Sequence, residues 1–444
     1  MTQGPILKQL LIFAGPMIIV GVLQRFYNMA DALAAGQYLG DTAVAALGVT
    51  SSLTDLILKL FIGLSVGAGV VLARYFGAND TKRVHDTVHT AVAFAVISGV
   101  GICVAGLFLT ETLLRLIDVS ADLMDPAAIY LRTCFLGTPA LMLFNFLSAN
   151  LRAMGDTKRP LLYLGIAGVL NISLNWFTVQ KLGLGVMGLG ISTAIAQYVA
   201  AGCLVIYHMG LEEPCRLVLR DVRIHSQAFG AILRLGLPAG IQSVAFSLSN
   251  VLIQKSINSF GSLAVAGNTA AANLGDFMDI ATSGVYHTAL IFVSQNYGAQ
   301  NWTRIRKGIR ECLLISAACS VTLGATCLIF HDSLLGLYCQ EKEALEVGLL
   351  RLSIMCMPHI FCGLMDAASG SLRGLNRSSV PMLSSLICVC GVRILWLYTV
   401  FAKYPTLETM YISYPVTWFA AAMVNMTCCK IATLKRFERR EDNE

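Results

Sequence analysis

The 444-residue sequence has few charged residues: 13% are Asp, Glu, Lys or Arg, whereas about a quarter is typical of a soluble globular protein. It also lacks an uninterrupted polar stretch long enough, at about 50 residues, to form a separate soluble domain. These absences argue against a soluble enzyme, a DNA-binding module and a disordered scaffold. A polytopic membrane protein remains, because 56% of the residues are hydrophobic and apolar runs of about 20 residues recur along the chain.

The sequence also lacks the motifs of ATP-driven pumps and metal-dependent enzymes. It contains no Walker A sequence, so ATP-driven transport would need a separate ATPase subunit, and none is expected. No CxxC pair occurs among the 14 cysteines, most of which lie in apolar runs and act as small hydrophobic residues. The sequence shows no grouped nucleophile and base. We therefore expect neither an enzyme nor a cofactor or metal site.

Three short patterns look like functional motifs but favour structural interpretations. Residues 183–188 read GLGVMG, a GxGxxG match, yet they lie in a short loop between apolar helices rather than after a strand. His85 and His89 have the i, i+4 spacing of metal ligands, although they fit the solvated start of a helix better. Gly63 and Gly67 form a GxxxG pair, which predicts close packing of two helices.

The apolar runs predict an all-α polytopic protein of about twelve transmembrane helices, six in each half. Lysine and arginine are concentrated at the termini and in the loops after even-numbered helices. By the positive-inside rule, both termini then face the cytoplasm. The net charge of +6 therefore has a topological meaning, and no nucleic-acid partner is expected. The predicted helices are centred near residues 20, 57, 98, 138, 170, 198, 245, 278, 319, 358, 390 and 421.

The two halves contain an internal repeat at an offset of 221 residues. The segment LRAMGDTKRP (151–160) pairs with LRGLNRSSVP (372–381), and each follows the fourth predicted helix of its half. Because each half has an even number of helices, the two copies share one orientation in the membrane. They are therefore parallel repeats, which is an architecture of transporters, and we expect a cavity between the halves.

The predicted domain organisation follows from this repeat and from the polar composition of two segments. Arg216, Arg220 and Arg223 have helical spacing in a polar stretch between the halves, which indicates a linker on the cytoplasmic membrane surface. The predicted parts are an N-terminal lobe over 1–209, an interfacial linker over 210–233, a C-terminal lobe over 234–433 and a cytoplasmic tail over 434–444.

Polar side chains inside the predicted helices indicate a wet cavity, because an ionisable group there costs about 2.5 to 3.5 kcal/mol on insertion scales. The first and fifth helices carry polar residues at i, i+4 and i+7, and the seventh and eighth carry longer polar stripes. Two stripes from each half fit one shared cavity. The candidate substrate and ion residues are Gln24, Asn28, Asn171, Asn175, Thr178, Asn250, Gln254, Asn273, Asp276, Asp279 and Asp366.

Asp31, on the same face of the first helix as Gln24 and Asn28, is the candidate cation-coupling residue. A partly desolvated carboxyl group can exchange protons near physiological pH and can also pair with a cationic substrate. Protonation and substrate binding would then compete at this position. The alternative is a structural carboxylate that pairs with Arg25 or caps a helix end.

The three carboxylates of the second half each have two interpretations. Asp276 and Asp279 either serve the cavity or, in one case, only neutralise Lys255 or His287. Asp366 is either a second titrating group or a group that packs helices together.

Five segments carry a resemblance to a known family: YNMADALAAGQYLG from Tyr27, ARYFGA from Ala73, LRAMGDTKRP from Leu151, GLPAGIQSVAFSLSNVLIQ from Gly236 and SQNYGA from Ser294. They resemble the multidrug and toxic compound extrusion (MATE) family, and most of all its bacterial branch related to the DNA-damage-inducible F proteins. The resemblance implies two six-helix lobes in a V shape. These lobes would alternate between inward-open and outward-open states in the bacterial cytoplasmic membrane.

Membership of that family implies multidrug efflux, in which small amphiphilic or cationic compounds are exported in exchange for H+ or Na+. H+ is favoured because it needs only a titrating carboxyl group, whereas Na+ needs several oxygen ligands. The expected partners are these substrates and ions together with membrane lipids. The alternative is a flippase of the same superfamily for a lipid-linked oligosaccharide or another phosphate-bearing lipid. It would explain buried basic residues such as Arg25 and Lys255.

The resemblance also implies roles for individual positions. Asp31 matches the acidic first-helix position that the family uses for cation coupling. Asn171 and Asn175 match the fifth-helix pair often written N-x-x-x-D, with Asn175 in place of the carboxylate. Gly275 stands where many relatives have glutamate, and Asp276 follows it. A shift of one residue rotates a helical side chain by about 100°.

Overall fold

A computed structural model describes the backbone of residues 1–339 and 341–441, and their side chains except at Asn28, Ser52 and 435–441. This part of the chain is helical and contains no strand, so the predicted all-α fold is confirmed. The helices are α1 Ile6–Leu39, α2 Asp41–Gly77, α3 Thr81–Leu116, α4 Ala121–Met154, α5 Lys158–Lys181, α6 Gly185–Met209, α7 Ser226–Asn258, α8 Ser262–Gly298, α9 Trp302–Ile329, α10 His331–Gly336, α11 Lys342–Met355, α12 His359–Gly374, α13 Ser379–Phe401 and α14 Leu407–Glu441.

The number of membrane-crossing helices agrees with the sequence. Among the described residues, nine helices are long and apolar enough to cross a membrane, namely α1 to α7, α9 and α13. Helices α11 and α12 meet at a bend of 53° and together provide a tenth crossing. Helices α8 and α14 are less apolar, but their 37 and 35 residues are also long enough to cross. The total is the twelve that the sequence predicts.

The internal repeat extends to the residues that end and begin helices. Glycine and asparagine tolerate the left-handed backbone that a sharp exit from a helix requires, and a side-chain oxygen of Asp or Asn can cap a helix start. Asp80 accepts a hydrogen bond from the backbone N–H of Arg83, and Asn301 accepts one from Arg304. The paired positions of the two halves are Gly40 and Gly261, Asp80 and Asn301, and Gly155 and Asn376.

The chain packs as two compact units that do not coincide with its two halves. Residues 19–240 form the first, called here the N-terminal unit. Residues 1–18 and 241–444 form the second, called here the C-terminal unit. Helices α1 and α7 are therefore each divided between the units. The lobe boundaries predicted from sequence stay a prediction.

Glycines allow α2 and α7 to touch within the N-terminal unit. A Cβ atom on Gly63 would lie 2.2 Å from the backbone nitrogen of Gly240, and one on Gly67 would lie 2.5 Å from that of Gly236. Both separations are far shorter than a van der Waals contact, so only glycine fits. The close packing predicted from the GxxxG pair is confirmed, with a second glycine pair as its partner.

In the described part of the chain, π-helical turns occur in α5 and α13, the fifth crossing of each half. The last turn of α5, Phe177–Lys181, is π-helical, as are Ser385–Gly391 and Leu397–Phe401 within α13. A π-helical turn widens the backbone hydrogen bonding from i+4 to i+5 and is often found at functional sites. These turns rotate the side chains that follow them relative to a regular α-helix.

The linker between the halves differs from its prediction. Its last eight residues belong to α7, which begins at Ser226, and before them a short 3-10 turn at Leu219–Asp221 is the regular element. The helical spacing of the linker arginines does not correspond to a helix. Side chains of α3 bind the linker backbone. His89 accepts a hydrogen bond from the Val218 N–H through Nε2 at 3.0 Å. His89 is consequently 0% exposed, and the predicted solvated helix start is wrong at this residue.

The cytoplasmic location predicted for the tail stays a prediction. Helix α14 continues through Glu441, so most of residues 434–444 extends the last helix, and 442–444 lie outside the described residues.

Candidate functional site

A cluster of buried polar side chains lies in the N-terminal unit. Its centre is the carboxylate of Asp31 in α1, which is 6% exposed. Its Oδ1 accepts a hydrogen bond from Asn175 Nδ2 at 2.7 Å, and its Oδ2 accepts one from Thr193 Oγ1 at 3.1 Å. Asn171 Nδ2 in turn donates to Thr193 Oγ1 at 3.2 Å. All of these partners are neutral. The alternative pairing of Asp31 with Arg25 does not occur among the described contacts.

The spacing of the two asparagines on α5 explains how they reach one carboxylate. Asn171 and Asn175 are four residues apart, so they share a helix face, and Asn175 Nδ2 also lies 3.3 Å from Asn171 Oδ1. Both side chains are buried. The Oδ1 atom of Asn175 has no hydrogen-bond partner among the described residues. An unused acceptor beside a carboxylate can accept a hydrogen bond from a proton donor, such as a protonated carboxyl group, or can bind another cation.

The other predicted residues of the N-terminal unit do not join this cluster. Thr178 is buried, but its hydroxyl bonds to the Gly188 carbonyl at 3.1 Å and to Ser192 Oγ at 2.9 Å. Gln24 is exposed. The side chain of Asn28 lies outside the described residues.

A cavity of about 330 Å³ lies within the C-terminal unit and brings together four of the predicted residues. They come from α7 and α8: Asn250, Gln254, Asp276 and Asp279. Asn273 and Asp366 are not among the residues that line it. The remaining wall is partly aromatic and partly basic, and its main side chains are Arg351, His359, Tyr414 and Trp418.

Asp279 forms a short side-chain contact with a histidine in this cavity. His359, the first residue of α12, places Nε2 at 2.9 Å from Asp279 Oδ1, while its Nδ1 atom has no partner among the described residues. Asp366 lies deeper in α12, where Asp279, His359 and Arg373 are its electrostatic neighbours. The two interpretations of Asp366 both remain predictions.

Several residues of these sites were not identified from the sequence. Thr193 gave no signal, because hydroxyl side chains are common in apolar helices, where they bond to their own backbone. A signal does exist for Arg351, His359 and Arg393, because ionisable residues in apolar runs are rare and functional by default. Their contacts with α7 and α8 depend on tertiary packing.

Among the residues that the structure describes, two groups of side chains have ligand atoms close enough to hold a metal ion. They are His85, His89 and Asp221, and Asp279, His359 and Cys362. In the first group His89 is already occupied, since Nδ1 bonds to the His85 carbonyl and Nε2 accepts from Val218. In the second, His359 is bound to Asp279. The expectation of no metal site stays a prediction.

Comparison with known proteins supports the fold and the repeat. The probable multidrug resistance protein YoeA of Bacillus subtilis is 26% identical over 428 residues, which cover 94% of this chain and 92% of YoeA. A crystal structure of a MATE protein in its bent conformation superimposes with a TM-score of 0.91 at 20% identity, covering 98% and 97% of the two chains. A MOP superfamily transporter from Pyrococcus furiosus gives a TM-score of 0.89 at 21% identity, covering 97% of each chain.

The family match occurs twice along the sequence. MatE family segments cover residues 16–177 and again 238–399, one in each half. These segments coincide with the predicted repeat and include Asp31, both asparagines of α5 and the lining of the cavity in α7 and α8. The chain therefore belongs to the MatE family of integral membrane transporters.

Proposed function

We propose that this protein is a secondary active antiporter that exports small amphiphilic compounds in exchange for a coupling cation, with H+ as the favoured ion and Asp31 as the coupling residue. The observation that carries the proposal is a membrane carboxylate, almost fully buried, whose hydrogen-bond partners are all neutral. Relatives such as YoeA and a NorM protein of Thermotoga maritima are named as probable multidrug resistance proteins, which supports drug efflux.

The cluster can accommodate both protonation states of Asp31 without a second carboxylate. When Asp31 is ionised, the amide of Asn175 and the hydroxyl of Thr193 donate to its two oxygens. When Asp31 is protonated, its O–H needs an acceptor, and Asn175 carries an unused Oδ1 that a rotation of the amide can present. Asn175 thus serves as donor in one state and acceptor in the other. An asparagine at this position is compatible with proton coupling.

The cavity of the C-terminal unit has the character of a small-molecule site. Aromatic side chains such as Tyr414 and Trp418 line it beside a few polar and charged groups, and ligand pockets have this combination of apolar walls and convergent polar atoms. We propose that exported compounds bind there during the transport cycle.

The proposed orientation places both termini in the cytoplasm, because basic residues are concentrated at the termini and in the loops after even-numbered helices. A fluorescent-protein fusion at the C-terminus tests it, since the fluorophore matures in the cytoplasm and not after export. Fluorescence of this fusion, and its absence when the protein is fused in the α5–α6 loop, is the expected result.

Efflux from proteoliposomes tests the coupling. Wild type and Asp31→Asn are compared with two fluorescent probes that share a dansyl group, cationic dansylcadaverine and anionic dansylglycine. A pH gradient and a Na+ gradient are imposed in separate experiments. The expected result is transport by wild type under the pH gradient and its loss in Asp31→Asn, because the amide cannot carry a proton.

The control for this experiment is Asp156→Asn, which changes a carboxylate that pairs with Arg159 outside the cluster. It should transport as wild type does. Equal gradient-driven transport by Asp31→Asn and wild type would remove Asp31 from the coupling role, and transport under the Na+ gradient alone would replace H+ as the coupling ion.

A further inference from the structure

A buried arginine without an acidic partner lies beside the cavity of the C-terminal unit. Arg393, between the two π-helical turns of α13, is 2% exposed. Its guanidinium donates to Asn250 Oδ1 at 3.2 Å and to Thr417 Oγ1 at 3.4 Å, and its Cζ lies 4.2 Å from the centroid of the Tyr414 ring. Its Nε atom has no partner among the described residues. These contacts are all neutral.

A second guanidinium approaches the same aromatic ring. Arg351 of α11 lines the cavity directly and bonds to the side chain and carbonyl of Asn268. Its Cζ lies 5.9 Å from the centroid of the Tyr414 ring. No carboxylate of the described residues forms an ion pair with either Arg351 or Arg393. Tyr414 therefore has two guanidinium groups near its ring. Arg351 lines the cavity, whereas Arg393 does not.

Two other ionisable groups of this unit each have an ionisable neighbour of the opposite type, a pairing of carboxylate and base that Arg393 lacks among the described residues. Asp279, on the α8 side of the cavity, is bound by His359. Arg373, another buried arginine of this unit, has Asp366 as an electrostatic neighbour. For Arg393 the charged and polarisable neighbours are Tyr414 and two cysteines, and none of these carries a carboxyl group.

A buried guanidinium is costly unless an anion compensates it, and the cost is greatest inside a membrane. Hydrogen bonds to an amide and a hydroxyl, with one aromatic face, compensate only part of it. An oxyanion in the cavity would supply the missing partner. Arginine is well suited to this role, because its planar donors match the two oxygens of a carboxylate or phosphate.

We propose that the cavity of the C-terminal unit binds the anionic group, a carboxylate or phosphate, of an amphiphilic substrate. Arg351 contacts this group directly, while Arg393 is a positioning residue that acts through Asn250 and Tyr414 and adds positive potential behind them. The aromatic body of the substrate packs against Trp418 and Tyr414. This inference rests on the proposed function and narrows its substrate class to compounds that carry an acidic group.

Binding to the purified full-length protein tests the proposal without any transport step. Three dansyl probes have the same fluorophore and differ in charge: anionic dansylglycine, neutral dansylamide and cationic dansylcadaverine. Energy transfer from tryptophan to dansyl reports binding, and Trp418→Phe identifies the share of the signal that arises in this cavity. We expect dansylglycine to bind more tightly than dansylcadaverine.

The variants separate charge recognition from structural damage. Arg351→Gln should weaken dansylglycine binding about tenfold to a hundredfold, as loss of a charge-assisted hydrogen bond does, and should leave dansylcadaverine binding unchanged or tighter. Arg393→Gln should reduce the preference for the anionic probe in the same direction, and Arg393→Lys should restore part of it. The matched control is Arg377→Gln, which removes an exposed arginine of the same unit and should bind all three probes as wild type does.

Competition identifies the source of the anion. Displacement of dansylglycine by benzoate indicates carboxylate-bearing small molecules, whereas displacement by short-chain phosphatidic acid alone indicates a phosphate-bearing lipid. Tighter binding of the cationic probe, or an equal loss of affinity for all three probes in Arg351→Gln, would overturn the proposal. Since binding is measured at equilibrium, a protein that binds dansylglycine but transports nothing would contradict the proposed antiport and leave the anion site standing.

Discussion

The two units of this protein place opposite charges in comparable surroundings. The N-terminal unit buries a carboxylate, Asp31, among amide and hydroxyl groups, and the C-terminal unit buries a guanidinium, Arg393, among the same kinds of group. Both groups lie within the family segment of their half, 16–177 or 238–399. Buried groups of opposite charge thus occur in the two halves of the repeat.

The comparison teaches that the repeat constrains backbone and charge differently. Turns and caps recur in chemically similar form, as in the pair Gly40 and Gly261 and the pair Asp80 and Asn301, because the backbone there admits few residue types. A polar group in a cavity needs only a suitable partner. It can therefore change sign between repeats while the helices stay in place.

The largest expected effect concerns the helix frame rather than the polar sites. In Gly63→Ala the new Cβ would lie 2.2 Å from the backbone of Gly240, so α2 and α7 must separate. We expect little or no monodisperse protein, as measured by size-exclusion chromatography of a fluorescent-protein fusion.

The matched control is Gly275→Ala in α8, where a Cβ meets nothing within 4 Å. It should give wild-type yield. A normal chromatogram for Gly63→Ala would show that the helix crossing is not essential to the N-terminal unit.

The next largest effect is on stability. It compares the loss of a hydrogen-bond partner of a buried charge with the loss of a buried charge itself. Asn175→Leu removes a donor from buried Asp31 and should lower the stability by about 3 kcal/mol. Arg393→Leu removes the charged group itself and should leave stability within about 1 kcal/mol of wild type, or raise it. Thermal unfolding of the purified proteins in one detergent measures both.

Asn145→Leu provides the reference for loss of an amide without a nearby charge, because Asn145 donates to the Leu141 carbonyl within α4. It should destabilise the protein less than Asn175→Leu. A greater loss in Arg393→Leu than in Asn175→Leu would mean that the guanidinium is satisfied by its neutral partners, and the contrast between the units would disappear.

The smallest effect refines the role of the hydroxyl beside Asp31. Thr193→Val keeps the side-chain shape but removes a hydrogen bond that stabilises the ionised carboxylate. Protonated Asp31 is then favoured relative to the ionised form, so the pH profile of proton-driven transport should move to higher pH by about one unit. Thr193→Ser keeps the hydroxyl and should keep the wild-type profile. A shift toward lower pH would show that the hydroxyl serves the protonated form.

Much of the fold was predictable because each contributing signal is local. The apolar runs and the GxxxG pair depend on residues close together in sequence, and the described residues contain helices for the runs and close packing at the pair. The helical spacing of the linker arginines misled for the same reason. Arginines at 216, 220 and 223 fit a helix, but the extended chain is held by groups of α3 more than 100 residues away.

The site was predictable only in part. Asp31, Asn171 and Asn175 were found because polar residues at helical spacing in an apolar run are conspicuous. Thr193 resembles many hydroxyl residues that serve only their own helix. The π-helical turns in α13 change which of its side chains share a face, so the place of Arg393 beside Asn250 and Thr417 could not be read from a regular helical period.

The division of α1 between the units has a consequence for biogenesis. Leu10, near the start of the chain, is buried with Val285, Phe292 and Trp302 of α8 and α9. This N-terminal segment therefore acquires its packing partners only after the second half has been synthesised. Neither half of the chain contains all the residues of one unit. If the two halves were expressed as separate polypeptides, each would need helix ends from the other to become complete.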